Sequence, residues 1–196
     1  EIIDGNLIDQ VDTIMDVLRL KYLKAYISYE GVHRREKLEY PYEALREAVI
    51  NALIHRDYTN TTNLQIRVYD DKLVMYNGAT LSEEVPVERF SQPHQSKPYN
   101  PTMAMVFYKC GFIENWGKGT LNMIEECLKY GLQKPSFEYE WNSLKITFYS
   151  NKKVIDEING GLGGTINGGL SGTIKEVYDY IKSHEGTSAV NIENKL

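Results

Sequence analysis

Residues 44–58 read Ala-Leu-Arg-Glu-Ala-Val-Ile-Asn-Ala-Leu-Ile-His-Arg-Asp-Tyr. Leu45, Val49 and Leu53 recur every four residues, a repeat that places them on one line of a helix. Glu47, Asn51 and His55 recur in the same way and lie roughly 160–200° away, at about 100° per residue. The remainder of that polar side is Ala44, Ala48, Ile50 and Ile54, so the helix is apolar nearly all round and is expected to be buried. A carboxylate and an amide on a buried helix need partners, because an unpaired buried polar group is destabilising.

Two accounts of Glu47 stay open at this level. It can pair with Arg46, Arg56 or another internal base. Alternatively, a Glu one turn ahead of an Asn can face a nucleotide pocket. There the amide oxygen can bind Mg²⁺ and the carboxylate can orient a water for attack on a phosphate. The ExxxN spacing alone is common and does not choose between them.

Working outward, Pro41 suits the first turn of this helix, where a missing N–H is harmless. Upstream, Leu7, Ile8, Val11, Ile14, Met15 and Leu18 predict a helix over 7–24 with Asp4-Gly5-Asn6 as its cap, followed by a mixed segment. Downstream, Leu64, Ile66 and Val68 alternate with polar neighbours. Asp70-Asp71-Lys72 turns, Leu73 to Tyr76 return, and Asn77-Gly78 ends the strand. Residues 79–99 hold Pro86, Pro93 and Pro98 and read as a long loop with at most a short helix, the kind of segment that serves as a lid or binding loop.

Asn100-Pro101 predicts a capped helix start, with Met103, Ala104, Val106, Phe107 and Cys110 as its buried stripe and Gly111 as its stop. Gly117-Lys118-Gly119 leads into another helix, with Leu121, Ile124, Cys127 and Leu128 inward and Gly131 as terminator. Phe137, Tyr139 and Trp141 alternate, Asn142-Ser143 turns, and Leu144, Ile146 and Phe148 alternate back. Paired strands with segregated helices predict an α+β two-layer sandwich rather than a parallel sheet.

From residue 159 the composition changes sharply. Asn159-Gly-Gly-Leu-Gly-Gly-Thr-Ile166 is nearly repeated as Asn167-Gly-Gly-Leu-Ser-Gly-Thr-Ile174, and so much glycine predicts a flexible linker over 153–172. It is not a P-loop, since no Gly-Lys-Ser/Thr follows. The 196 residues carry a formal net charge of -5, which excludes the basic footprint of a domain that grips nucleic acid by its phosphates. Cys110 and Cys127, the only cysteines, lack CxxC spacing and read as reduced core residues. No apolar run is long enough to span a bilayer and no signal peptide opens the chain, so it is expected to be a cytoplasmic part of something longer.

Taken together, Ala44 to Tyr58, the Asp71 turn running into Asn77, Asn100-Pro101, Glu114-Asn-Trp-Gly-Lys-Gly119 and Pro135-Ser-Phe137 resemble the ATPase-like domain of RecG-related and Schlafen-type bacterial transcriptional regulators. That family is a divergent branch of the GHKL (gyrase, Hsp90, histidine kinase, MutL) superfamily, and the resemblance covers roughly residues 1–150. It implies a Bergerat-type sandwich over 1–152 that binds ATP with Mg²⁺. Glu47 is implied as general base and Asn51 as Mg²⁺ ligand. The Gly117-Lys118-Gly119 turn is implied as a phosphate-holding element, the 91–99 loop as lid, and Asn77 as a residue at the base. The superfamily places an aspartate followed by glycines where this chain has Tyr76-Asn77-Gly78, whereas the RecG-related branch shows Asn-Pro-Gly there, which Asn77 fits.

Residues 173–196 resemble the start of a winged helix-turn-helix that ends before the groove-reading helix. DNA is thus expected as a partner of the full-length protein rather than of this stretch, and a homodimer is compatible with the family. The function implied is a nucleotide-responsive regulatory module, at most a slow ATPase. The alternative is a non-catalytic dimerisation or interaction scaffold that keeps the fold without the nucleotide.

Overall fold

Asn6 starts the first helix in the computed structural model, which describes residues 1–30, 33–81, 85–95, 97–113 and 117–150. Its side-chain oxygen accepts from the backbone N–H groups of Ile8 and Asp9 at 3.1 and 3.0 Å, satisfying two donors that helix geometry leaves unpaired. Helix α1 (Leu7–Val17) buries Val11, Ile14 and Met15 and runs into a wider π-type turn over Leu18–Tyr22, closed by Leu23 N–H on Leu18 O at 2.8 Å.

The segment after it, read from sequence as mixed, is an antiparallel hairpin of β1 (Ala25–Glu30) and β2 (His33–Leu38) that forms a two-stranded sheet by itself. Residues 33–37 are all polar, so no period-two alternation marks the strand, and main-chain pairing carries it.

Helix α2 (Tyr42–His55) is the buried helix its sequence predicts, with Ala44, Leu45, Ala48, Val49, Ile50, Ala52, Leu53 and Ile54 all enclosed. Against it lies a four-stranded antiparallel sheet of β3 (Gln65–Val68), β4 (Lys72–Gly78), β5 (Ser136–Glu140) and β6 (Ser143–Tyr149), in the order β3-β4-β6-β5. Register pairs Leu73 with Phe148, Met75 with Ile146 and Asn77 with Leu144. One face therefore carries a continuous apolar row interrupted only at Asn77. The β5–β6 turn is Trp141-Asn142, both at φ 53°, the two-residue left-handed turn that matches strand twist. Trp141 is accordingly a turn residue, 94% exposed, and not the last position of an alternating strand.

Helices α3 (Pro101–Lys109) and α4 (Gly119–Lys129) complete an α+β fold of four α-helices with a four-stranded sheet among the described residues. The inward face of α3 is narrower than predicted, and that of α4 is shifted onto Met123, which the predicted face left out. Only Ala104 and Phe107 of α3 and Met123 and Cys127 of α4 are buried. Val106, Cys110 and Leu128 are exposed, because each lies off the strip set by the 104/107 and 123/127 spacings.

The last turn of α2 is closed from a distance. Its final carbonyls have no intrahelical donors, and side chains from three segments supply them. Asn77 Nδ2 donates to Ala52 O at 2.9 Å, and Tyr58 OH donates to Leu53 O at 2.9 Å. Asn100 Nδ2 donates to both Ile54 O (2.8 Å) and Arg56 O (2.7 Å). Asn100 was expected to cap α3 with its side chain and makes no such bond. Its amide is used on the neighbouring helix instead. Arg56 and Asp57 are structural. The Arg56 guanidinium donates to Thr62 O and Asn63 Oδ1, while Asp57 accepts from Thr59 and Thr80.

Glu39 is the buried carboxylate just ahead of α2, 2% exposed, with Oε2 lacking a hydrogen-bond partner among the described residues. Lys24, near it, donates to Asp70 at 3.4 Å. The chain divides into a unit of residues 1–158 and a second of 159–196. The predicted linker from 153 and the winged-helix segment at 173–196 lie outside the described residues. No helix among the described residues is long and apolar enough to cross a membrane.

Candidate functional site

The polar line of α2 forms the floor of a cleft. Glu47, Asn51 and His55 all line it, beneath walls from β4 and β6, the N-terminus of α4, and the segment from Phe90 to Pro98. Its interior holds about 110 Å³ of space for solvent, room for several waters at roughly 10–15 Å³ each.

At one end Glu47 and Asn51 are joined. Asn51 Nδ2 donates to Glu47 Oε1 and to Glu47 O, both at 2.8 Å. This fixes the amide, since only nitrogen can serve two acceptors, and it turns Oδ1 away from Glu47. The partner of the Glu47 carboxylate is thus an amide from its own helix. Burial raises the Glu47 pKa, and the Asn51 hydrogen bond and nearby Arg46 work against that rise. A carboxylate with raised proton affinity is the better proton acceptor.

The Gly117-Lys118-Gly119 turn meets this end, and its two glycines are required for different reasons. Gly117 has φ +78°, a left-handed conformation that a side chain disfavours. Gly119 needs space: a Cβ there would lie 2.7 Å from Asn51 Nδ2 and closer still to Glu47 Oε1. Its backbone therefore lies directly against the Glu47–Asn51 pair as α4 begins. The first N–H groups of α4 have no intrahelical acceptor and carry the positive end of the helix dipole. Beside them Thr120 Oγ1 is buried without a hydrogen-bond partner among the described residues. Lys118 is exposed and does not line the cleft.

Asn77 lies further along. It is 3% exposed and anchored to Ala52 O through Nδ2, which leaves Oδ1 buried and unpartnered among the described residues. An orphaned buried acceptor is costly and is relieved by any ligand that offers a donor.

Next to it stand two groups to which sequence reading assigned no role in the site. Burial pushes the His55 imidazole down to about 4, with His94 adding to the effect, so it is neutral at physiological pH. His94 falls in the 79–99 stretch, which from sequence reads only as a long loop. Instead it lines the cleft, donates through Nδ1–H to Gln92 O (2.9 Å), and stacks on Phe90 with ring centres 5.7 Å apart. Phe90 is buried and meets Phe137 edge-on at 5.6 Å, so this wall is pinned into the core by an aromatic anchor.

The fold thus brings Glu47, Asn51, Asn77, Gly117 and Gly119 around one cavity. Glu114–Trp116, three residues of the resemblance motif, lie outside the described residues. The described residues contain no cluster of three or more His, Cys, Asp or Glu that would hold a metal ion unaided.

Residues 61–148 match the family described as "Putative ATP-dependent DNA helicase recG C-terminal". The matched stretch runs from just before β3 to the penultimate residue of β6, so it includes Asn77 and the Gly117–Gly119 turn and leaves α2 outside. Among solved structures, the DIP2311 protein from Corynebacterium diphtheriae is similar, with a TM-score of 0.65 at 21% identity over 79% of this chain and 32% of that one. The chain spans about a third of that protein's length, and at this identity the likeness is one of fold. No curated protein matches the chain.

Proposed function

We propose that the cleft binds ATP with Mg²⁺ and that the domain is a GHKL-type nucleotide-responsive module of a RecG-related transcriptional regulator. The observation that carries this reading is the contact of Gly119 with Glu47 and Asn51. It sets an anion-attracting helix N-terminus beside a carboxylate–amide pair, the combination a phosphate–metal group requires. Asn51 Oδ1 is assigned to the metal. The backbone of residues 117–119, Lys118 included, and the Thr120 hydroxyl are assigned to phosphate, and Asn77 Oδ1 to a donor on the base. Mg²⁺, when bound, neutralises charge on the phosphate oxygens. Glu47 accepts a proton from a water placed between it and the phosphate, and turnover is at most slow.

Binding would alter how a DNA-binding segment beyond residue 172 is presented, in a cytoplasmic protein that acts alone or as a homodimer. A scaffold role without nucleotide is the rival reading, favoured by Asn77 standing where the wider superfamily has an acid. Calorimetric titration with ATP and a nonhydrolysable analogue, with and without Mg²⁺, separates the two on the native chain and on Asn51→Ala. Mg²⁺-dependent binding lost in the variant supports the module. No heat at millimolar ATP leaves the scaffold.

A further inference from the structure

We infer that His55 is a specificity-determining residue, its imidazole contacting the nucleoside end of the bound nucleotide. This rests on the nucleotide reading of the cleft and adds a residue and a polarity to it.

The direction of the ligand follows from the floor. Four residues of α-helix advance about 6 Å, so Glu47, Asn51 and His55 mark off about 12 Å of cleft in two steps. Gly119 lies against the first two of these residues, and Thr120 follows it on α4. The positive N-terminus of α4 therefore meets the floor at its Glu47–Asn51 end.

The other end has different chemistry. His55 lines the cleft and has no hydrogen-bond partner among the described residues. The unspent Asn77 Oδ1 is held at Ala52, less than one turn before it. The Phe90–His94 stack and Phe137 supply aromatic surface in the same cleft. Rings for stacking, with a few fixed polar points, are what a flat heteroaromatic group needs.

The charge state agrees. A triphosphate calls for cations, whereas burial keeps His55 neutral near pH 7. A neutral imidazole offers one donor and one acceptor, a match for the edge of an uncharged base. Protonation would forfeit the acceptor.

The test uses three probes on the whole chain: Mg·ATP, adenosine, and inorganic tripolyphosphate with Mg²⁺, each titrated calorimetrically into native protein, His55→Ala, His55→Gln and Asn51→Ala. His55→Ala is expected to weaken ATP and adenosine by about 10–100-fold, the loss of one or two hydrogen bonds and a ring contact. It should leave tripolyphosphate within about twofold of native, an expectation set by the separation of the two ends. His55→Gln, which keeps a donor and an acceptor, recovers part of the loss, and Asn51→Ala gives the opposite pattern. Equal losses on ATP and tripolyphosphate, or adenosine binding untouched in His55→Ala, would overturn the assignment while leaving the nucleotide site standing. Absence of ATP binding by native protein would instead remove the reading beneath it. Thermal melts of each variant confirm that the comparison is between folded proteins.

Discussion

Replacing Glu39 by Gln will make the domain more stable at alkaline pH and leave it nearly unchanged in acid. Burial raises the Glu39 carboxyl from an ordinary 4.5 to about 7, against the pull of Lys24 and with a smaller push from Asp70. Between those two values the folded protein holds a proton that the unfolded chain releases. This contribution is therefore fully present below pH 4.5 and is lost as pH rises through 7. The difference of 2.5 units, 7 minus 4.5, corresponds to about 3 kcal/mol at 1.36 kcal/mol per unit.

His55 runs the other way. It is lowered from 6.5 to about 4, so the unfolded chain holds the extra proton. Its contribution is complete above pH 6.5 and is lost as pH falls towards 4. Across about pH 4.5–6.5 the two slopes oppose each other, and the native curve is flattened by their compensation.

Glutamine keeps the size of Glu39 and cannot ionise. The stability of Glu39→Gln minus native should therefore be near zero at pH 4.5 and rise to about 3 kcal/mol by pH 8. Urea unfolding followed by circular dichroism at half-unit steps of pH measures that difference directly. A difference that stays level across the series would refute a neutral Glu39 in the folded state. A Gln variant less stable than native at pH 8 would show that the carboxylate has found a partner.

Two further outcomes follow from the floor of the cleft. Gly119→Ala places a methyl against Glu47 Oε1 and Asn51 Nδ2. It should lower stability by about 1–3 kcal/mol and weaken Mg·ATP by more than about tenfold, where a native-like melt with native affinity would contradict the close approach. Asn100→Ala removes the donor shared by Ile54 O and Arg56 O and should cost about 1–3 kcal/mol in urea unfolding. A loss below about 0.5 kcal/mol, the range of ordinary surface changes, would mean that water replaces the amide at no cost.

What could be read in the sequence was what one element dictates to itself. The two lines of α2, the Asn6 cap and the pairing of the two hairpins of the main sheet all follow from period and local turn chemistry. The 25–38 hairpin could not be read this way, because polar residues through 33–37 erase the alternation that marks a half-buried strand. The inward face of α3 was drawn too wide and that of α4 missed Met123, since a helix offers several adjacent apolar lines and only packing selects among them. At the site, Glu47 and Asn51 stood out by spacing. His94 did not, because its place beside the cleft depends on Phe90 docking into the core. Gly119 stands out in the sequence only as part of the Gly117-Lys118-Gly119 turn, whereas its requirement is steric and comes from residues about 70 positions earlier.

The side chains that close the last turn of α2 come from positions 58, 77 and 100, and the bonds from Asn77 and Asn100 span 25 to 46 residues of chain. The cleft floor is therefore late in the order of folding. Contacts so far apart in sequence form only after the intervening chain has been ordered, and they carry its closure entropy. A nascent chain that had emerged only through β4 would contain Glu47, Asn51 and His55 on a helix with a fraying end. The site would become competent only after Asn100, the Gly117–Gly119 turn and β6 had all arrived.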